Sequence, residues 1–355
     1  MPRPLIAAIS KALLLLGAIL ILLALAGAAY EALGRSRDAR RFPQHGTSIQ
    51  AGRIKLNLDC TGDRSLGSTT IVLDSGLGAP ALGWILIQPE VAKFARVCSY
   101  DRAGYGWSDP GPEPRTSSEI AKELKAVLDA AGERPPYVMV GHSFGGFNVR
   151  VFTSLNPGEV AGVVLVEASH EDEDHRIAES LPPSVMEREA KADLWNERIR
   201  RIIRPVRVRF GIERLQVETG WGTPDYRILK SPQLPKDLRK ELLYLRQPDK
   251  VAKAVAAEIN AFQESILEVR RAGALGERPL IVLTAANPYD PDPILTREQA
   301  EKLKNLWIHD LQVQEAHLST HGKQIIVPDS THMIPIDQPA AVVSAIREVW
   351  SATAQ

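Results

Sequence analysis

The chain has 355 residues, 44% of them hydrophobic and 24% charged. This composition fits one large α/β domain or two smaller ones, and excludes a disordered chain or a protein with many membrane spans. Lysine plus arginine and aspartate plus glutamate each total 43, so the formal net charge at pH 7 is zero. Because no global field attracts polyanions, we expect no nucleic-acid partner.

The N-terminal region carries the first functional signal. Residues 12–30 contain no charged side chain, and a helix of ~20 apolar residues is long enough to cross a bilayer. We therefore expect residues 1–30 to be a single-pass membrane anchor. A cleaved secretory signal, leaving a secreted or periplasmic protein, is the alternative, because residues 24–28 resemble small-residue cleavage sites. The apolar run is longer than the usual ~7–15 residues of a signal core, which favours the anchor.

The segment after the apolar run is polar and basic, and residues 31–46 are expected to form a juxtamembrane linker. Its arginines outnumber the positive charges before the run, which favours a cytoplasmic location for the C-terminal side. These arginines are Arg35, Arg37, Arg40 and Arg41.

A nucleophile motif lies in the middle of the chain. The apolar residues 138–140 precede Gly141-His142-Ser143-Phe144-Gly145, which matches G-x-S-x-G, and a helix can follow. In a strand–turn–helix of this kind the two glycines lack a Cβ where strand and helix approach, and the serine hydroxyl is exposed. We expect Ser143 to be a nucleophile and the Phe144 N–H to stabilise an oxyanion. An ordinary structural turn is the alternative.

A second donor is expected from another loop. The β-branched run 69–73 ends at Asp74-Ser75-Gly76-Leu77-Gly78, and a glycine-rich turn at a strand end exposes backbone N–H groups. We expect Leu77 to supply the second oxyanion donor. A strand-to-helix turn without chemistry is the alternative.

One histidine stands out among the eight. His332 follows the strand 324–327 and precedes a terminal helix, so it comes after the nucleophile in the chain, in a loop at the end of a late strand. His142 is the competing candidate, but its neighbouring position points it away from the oxygen of Ser143. We expect His332 to be the general base.

Short apolar strands alternate with helices along the chain, which predicts a mostly parallel sheet covered by helices. Ligands of such sheets bind at the carboxyl ends of the strands. Leu77, Ser143 and Glu167 lie in the segments that follow the carboxyl ends of expected strands. The expected architecture therefore brings them together.

The motifs resemble a known family. Ser-Tyr-Asp-Arg-Ala-Gly-Tyr-Gly-Trp-Ser-Asp at residues 99–109, followed by Gly-His-Ser-Phe-Gly-Gly at 141–146, is similar to the α/β-hydrolase superfamily, in the branch that contains esterases, proline iminopeptidases and haloalkane dehalogenases. The resemblance covers residues 52–350. It implies an α/β-hydrolase core of about eight strands at 47–169 and 276–355, with a helical cap inserted at 170–275.

Two pairs of residues are expected to interact. The resemblance places Cys60 and Cys98 on neighbouring strands, so we expect a disulfide if the domain is exported; two buried thiols are the alternative. Arg102 cannot act as an acid or base at neutral pH, so Asp101 and Arg102 are expected to form an ion pair that fixes their loop.

The triad acid is ambiguous. The family usually carries it after the strand that ends at Thr284, where Asp290 and then Asp292 are available. Glu167 sits directly at the end of the strand 163–166, in the position to which some haloalkane dehalogenases moved the carboxylate. The sequence favours Glu167, with Asp290 and Asp292 as alternatives. Glu167 could instead bond backbone amides.

These features predict a serine hydrolase that cleaves an ester, thioester or amide of a small, apolar substrate through an acyl-enzyme. No metal or organic cofactor is expected, because HExxH, paired Cys-x-x-Cys and Walker motifs are missing from the sequence. Serine at the nucleophile position disfavours epoxide hydrolysis and dehalogenation. An acyltransferase, or a receptor of this fold that binds a small molecule without turnover, remains an alternative.

Overall fold

The computed structural model describes residues 3–64, 69–221, 227–230, 233–246, 249–289 and 294–353. Eight strands within these ranges form one sheet: β1 Thr47–Ala51, β2 Ile54–Thr61, β3 Thr70–Asp74, β4 Val97–Tyr100, β5 Tyr137–His142, β6 Val160–Val166, β7 Leu280–Ala285 and β8 Gly322–Val327. The helices are α1 Arg3–Arg41, α2 Gln88–Val91, α3 Ser117–Ala130, α4 Gly145–Leu155, α5 Glu173–Ser180, α6 Pro183–Arg209, α7 Ile212–Thr219, α8 Lys236–Arg246, α9 Asp249–Asn260, α10 Phe262–Ala272, α11 Arg297–Leu306, α12 Gln312–Ala316, α13 Ile334–Asp337 and α14 Pro339–Thr353.

The strand order is β1-β2-β4-β3-β5-β6-β7-β8. β1, β2 and β4 pair antiparallel, and the pairs from β4 through β3 to β8 are all parallel. The parallel strands end at one edge of the sheet, where the loops after β3, β5, β6, β7 and β8 emerge. The expected mostly parallel sheet of about eight strands is confirmed.

Apolar side chains cover both faces of the sheet. Along β5, Tyr137 and Met139 pack into a cluster that includes residues of α3 and α4. Val138 and Val140 alternate with them and pack with residues of α2 and α14 on the opposite face. Because β5 is buried on both faces, it gives rigid support to the turn of residues 141–145 at its end.

Two elements differ from expectation. The imperfect alternation of apolar and polar residues at 52–59 predicts one edge strand there, whereas β1 and β2 form a hairpin across Gly52. Residues 296–315 are expected to form one helix, whereas a π-helical turn at Trp307–Leu311 separates α11 from α12. In the latter case the indole of Trp307 turns inward to a buried carboxylate.

The chain divides into two compact units. One consists of Met1–Pro43 with Ala190–Tyr244, and the other of Gln44–Glu189 with Leu245–Gln355. The first unit takes only part of the predicted cap at 170–275. In this unit α1 runs unbroken to Arg41, so residues 31–41, expected as linker, are helical.

The helix α1 fits a membrane anchor. Its segment Ala8–Arg41 has a mean hydropathy of 2.7 in its most apolar window, and none of that window is buried by the protein. An apolar surface of this length is stable in lipid and costly in water.

The two cysteines lie opposite each other on the antiparallel strands β2 and β4. Their sulfurs are 2.05 Å apart, which is a disulfide bond. The expected pairing of Cys60 with Cys98 is therefore present in the structure.

Candidate active site

Ser143 lies on a sharp turn between β5 and α4, with φ of 53°. The turn is close-packed: a Cβ added to Gly141 would lie 2.5 Å from the backbone oxygen of Gly145, and one added to Gly145 would meet the backbone oxygen of Asp74. The strained turn at Ser143 is thus possible only because residues 141 and 145 are glycine. This is the geometry that G-x-S-x-G predicts.

The loop after β3 lies against this turn. A Cβ added to Gly76 would be 3.1 Å from the Cβ of Ser143. In the part of the chain that the structure describes, the N–H groups of Leu77 and Phe144 donate no hydrogen bond. Phe144 caps the N-terminus of α4, where the helix dipole favours negative charge. The arrangement can receive an oxyanion beside Ser143.

Arg102 is hydrogen-bonded to the loop that follows β3. The side chain is 2% exposed, and its guanidinium donates to Asp74 Oδ1 at 2.8 Å and to the carbonyl oxygens of Ser75 and Gly76 at 2.5 and 3.0 Å. These bonds point the two carbonyl oxygens towards Arg102. Because the C=O of Gly76 and the N–H of Leu77 belong to one trans peptide and point in opposite directions, the N–H of Leu77 points away from Arg102.

Glu258 on α9 completes this network. It accepts from Arg102 Nε at 2.8 Å and Nη2 at 3.0 Å, and from the Tyr105 hydroxyl at 2.6 Å. The Tyr105 oxygen in turn accepts from the N–H of Gly78 at 3.2 Å. Burial opposes the charge of Arg102, but the carboxylates of Glu258 and Asp74 outweigh this and raise its pKa.

The network corrects one expectation. Arg102 forms its ion pairs with Asp74 and Glu258, not with Asp101. The Asp101 carboxylate instead accepts from Asn57 Nδ2 and from the N–H groups of Ala81 and Trp107. Glu258 was missed because it lies in a charged helical stretch without a recognisable motif.

His332 lies in the loop between β8 and α13. Its carbonyl oxygen accepts from His142 Nε2 at 2.8 Å, and the two imidazole centroids are 5.1 Å apart. Asp337 fixes the loop by accepting from the N–H and hydroxyl of Thr331 at 2.9 and 2.6 Å. His332 therefore sits beside the residue that precedes Ser143.

Glu167 follows β6 with φ of 46° and is fully buried. Its Oε2 accepts from the N–H of Ala285 at 2.5 Å, and its Oε1 from the Trp307 indole at 2.6 Å. Burial raises the pKa of Glu167 to about 8, although both hydrogen bonds oppose the rise. Its role as the triad acid stays a prediction; these contacts are of the kind expected if it instead bonds backbone amides.

Asp290 and Asp292 lie outside the described residues. The chain just before them is described: the N–H of Asn287 donates to the carbonyl oxygen of Ser330 at 3.0 Å, and that of Ala286 to Val327 at 3.1 Å. Ser330 is two residues before His332. The loop that leads to Asp290 is therefore tied to the loop that carries the histidine.

A second polar cluster contains side chains of the types that bind metal ions. His170, Glu171 and Glu315 offer ligand atoms within 4.8 Å of one another. However, the Arg150 guanidinium donates to Glu171 at 2.6 and 2.8 Å and to Glu315 at 2.9 Å. A cation therefore already balances these carboxylates, and the cluster is a buried ion-pair network.

A family model described as the alpha/beta hydrolase fold matches residues 69–339. The chain therefore belongs to the α/β-hydrolase fold family. Among solved structures, it resembles a thermophilic esterase from Thermogutta terrifontis, with 19% identity, 87% of this chain and 99% of that chain covered, and a TM-score of 0.54. It also resembles the enol-lactonase from Burkholderia xenovorans, with 17% identity, coverage of 86% and 100%, and a TM-score of 0.53.

Among curated proteins, the chain is 30% identical over 138 residues to a 2-hydroxy-6-oxononadienedioate/2-hydroxy-6-oxononatrienedioate hydrolase of Cupriavidus pinatubonensis. That match covers 36% of this chain and 47% of the relative. The chain spans less than half the length of the first curated relatives that it matches. The family match over residues 69–339 therefore shows family membership, and the solved structures show the fold.

Proposed function

We propose that the protein is a serine hydrolase that cleaves esters, thioesters or amides of small, apolar acyl groups through an acyl-enzyme. The observation that carries this proposal is the position of Ser143 on a strained turn, next to the loop of Leu77 and to Phe144, whose N–H groups donate no hydrogen bond among the described residues. The names of the Thermogutta esterase and the Burkholderia enol-lactonase support hydrolysis of a carbonyl ester.

In the proposed mechanism, His332 takes the proton of the Ser143 hydroxyl as its oxygen attacks the substrate carbonyl carbon. The oxyanion accepts hydrogen bonds from Leu77 and Phe144. Collapse of the tetrahedral intermediate expels the alcohol, thiol or amine, which takes the proton from His332. Water, deprotonated by His332, then attacks the acyl-Ser143 ester. Collapse of this second tetrahedral intermediate releases the carboxylic acid, and the oxygen of Ser143 takes the proton back from His332.

For the acid that orients His332, we place Asp290 ahead of Glu167 and Asp292. Both oxygens of Glu167 already accept hydrogen bonds, and its raised pKa leaves it largely protonated at neutral pH. A neutral acid stabilises an imidazolium poorly. The N–H of Asn287, three residues before Asp290 in the sequence, donates to the carbonyl oxygen of Ser330, which supports this order.

We also propose that α1 is an uncleaved single-pass anchor. Its unburied apolar surface supports this. The substrate is a small molecule, and the membrane is the expected partner of the N-terminal segment.

The test is hydrolysis of a panel of p-nitrophenyl esters, thioesters and peptide anilides by the full chain in detergent. We expect turnover of short-chain esters and none by the Ser143→Ala variant, with Ser169→Ala as a control, because Ser169 follows β6 close to the site. Adding alcohols identifies the acyl acceptor: ester products in place of acid would make the protein an acyltransferase. Binding without turnover across the panel would make it a receptor and contradict the proposal.

A further inference from the structure

The C-terminal part of α1 is bonded to α7, a helix of the same unit. Arg214 on α7 is 1% exposed, and it donates to Glu31 at 2.9 and 3.2 Å and to Asp38 at 2.5 Å. Glu31 and Asp38 are seven residues apart, about two helical turns, and so share one face of α1. A buried arginine bonded to both therefore joins α7 to α1.

The turn between α6 and α7 also contacts the apolar part of α1. A Cβ added to Gly27 would lie 2.6 Å from the carbonyl oxygen of Phe210, and one added to Gly211 would lie 2.7 Å from Tyr30 Cδ1. Gly27 and Tyr30 both belong to the uncharged run 12–30. With a rise of ~1.5 Å per residue, Gly27 is about 4.5 Å inside the end of that run. The turn between α6 and α7 thus lies where the apolar span ends.

An exposed apolar stripe on α6 leads to this turn. Trp195, Ile203 and Val206 are 65%, 45% and 47% exposed. At ~100° per residue, these three positions and Phe210 fall within an arc of about 80°. Water-exposed apolar side chains in one line indicate a contact surface. Tryptophan, with its apolar ring and polar N–H, is enriched at membrane interfaces.

The charge of the same helix fits a lipid surface. Between residues 198 and 209 the sequence carries six arginines and no acidic residue. Basic residues near an anionic leaflet strengthen binding to it. An arginine-rich helix with an apolar stripe is typical of helices that lie in the plane of the interface.

We propose that the exposed stripe of α6, formed by Trp195, Ile203 and Val206, lies in the head-group region of the bilayer that α1 spans, and that it binds anionic lipid. The proposal goes beyond the hydrolase chemistry and depends only on α1 being a membrane span. The continuous contact from Val206 through Phe210 to Gly27 favours the bilayer over a second copy of the chain as the partner of this stripe.

The test uses the full chain in vesicles of phosphatidylcholine with phosphatidylserine. A Val206→Cys variant is labelled with an environment-sensitive fluorophore; the native cysteines are protected by their disulfide. Leu155→Cys is the matched control, because Leu155 is 51% exposed and lies in the other unit. Leu22→Cys, 65% exposed on α1, reports on the span itself. Quenching by a nitroxide near the top of the lipid acyl chain is compared with quenching by aqueous iodide.

We expect the lipid nitroxide to quench Val206 at least about twofold more than Leu155, because interfacial helices bury their apolar face ~5–10 Å deep. Omitting phosphatidylserine should weaken this quenching. If aqueous iodide quenches the fluorophore at Val206 as strongly as the one at Leu155, the proposal is overturned. If neither iodide nor the lipid nitroxide quenches the fluorophore at Val206, a protein partner covers the stripe, and the proposal is overturned too. Loss of lipid quenching at Leu22 would refute the span, and ester hydrolysis by the same samples reports separately on the proposed chemistry.

Discussion

Glu258 accepts two hydrogen bonds from the guanidinium of Arg102, at 2.8 and 3.0 Å, and both side chains are buried. The remaining N–H groups of Arg102 hold Asp74 and the carbonyls of Ser75 and Gly76. The position of the Leu77 N–H therefore depends on a carboxylate far away in the sequence. We infer that Glu258 is a positioning residue for the oxyanion hole.

We predict that Glu258→Gln lowers kcat by about tenfold to a hundredfold, a smaller effect than the ~10²–10³ for deleting an oxyanion donor outright. KM should change little, because the misplaced N–H acts on the oxyanion and not on the ground-state substrate. The buried ion pair also loses a partner, which costs about 3 kcal/mol or more in the free energy of unfolding.

Steady-state kinetics well below the melting temperature separate the two effects. Glu264→Gln is the matched control, because Glu264 is exposed on the next helix, and it should leave both properties unchanged. A Glu258→Gln enzyme that is less stable but has wild-type kcat would show that Glu258 is structural only.

The acid assignment makes a distinct prediction. Asp290→Asn should lower kcat by up to ~10⁴-fold, as loss of an orienting carboxylate can. Glu167→Gln and Asp292→Asn should each lower kcat less than about tenfold, as expected outside the proton-transfer chain. The measurement is kcat for a p-nitrophenyl ester across the three variants. If Glu167→Gln causes the large loss of kcat and Asp290→Asn only a small one, Glu167 is the acid.

The raised pKa of Glu167 predicts how stability depends on pH. Burial raises this pKa from 4.5 to about 8 in the folded state, partly offset by the N–H groups of Ala285 and Trp307. Between these values the folded protein keeps a proton that the unfolded chain releases. The contribution of Glu167 to stability is therefore fully present below 4.5 and is lost as pH rises through about 8.

Denaturant unfolding of the full chain at several pH values in this window tests the sign. Glu167→Gln cannot titrate, so its free energy of unfolding should fall less steeply with rising pH than that of the wild type. If the free energy of unfolding falls equally with rising pH in the wild type and in Glu167→Gln, then Glu167 is ionised in the folded protein, as a carboxylate paired with His332 would be.

The sequence predicted the parts of the fold and site that depend on local patterns. Strands such as β5 and β6 are continuous apolar runs, and the elbow requires glycine at 141 and 145 for steric reasons. The partners of Arg102 and of Glu167 depend instead on which distant side chains the fold brings close. Glu258 is 156 residues from Arg102 and Trp307 is 140 from Glu167, and neither position carries a local signal.

The disulfide between Cys60 and Cys98 should contribute to stability by restricting the unfolded chain. For a sequence separation of 38 residues, the loop-closure model gives about 4 kcal/mol. Replacing both cysteines by serine should lower the free energy of unfolding by about that amount. A reducing agent should lower the wild type to the same value and leave the variant unchanged.

Alkylation of protein from its native compartment checks whether the bond forms there. Both thiols should resist alkylation until reductant is added. Labelling of both cysteines without reductant would contradict the disulfide.

The most direct measurement of the proposed chemistry is covalent labelling of Ser143 by a fluorophosphonate probe, with the modified residue identified by mass spectrometry. We predict stoichiometric labelling at Ser143, and for Ser143→Ala no labelling and a loss of ester hydrolysis of at least about 10³-fold. The variant should keep the wild-type circular dichroism spectrum, because the turn requires its glycines and not the hydroxyl. Label on another residue, or a loss of activity below about tenfold, would contradict a Ser143 acyl-enzyme.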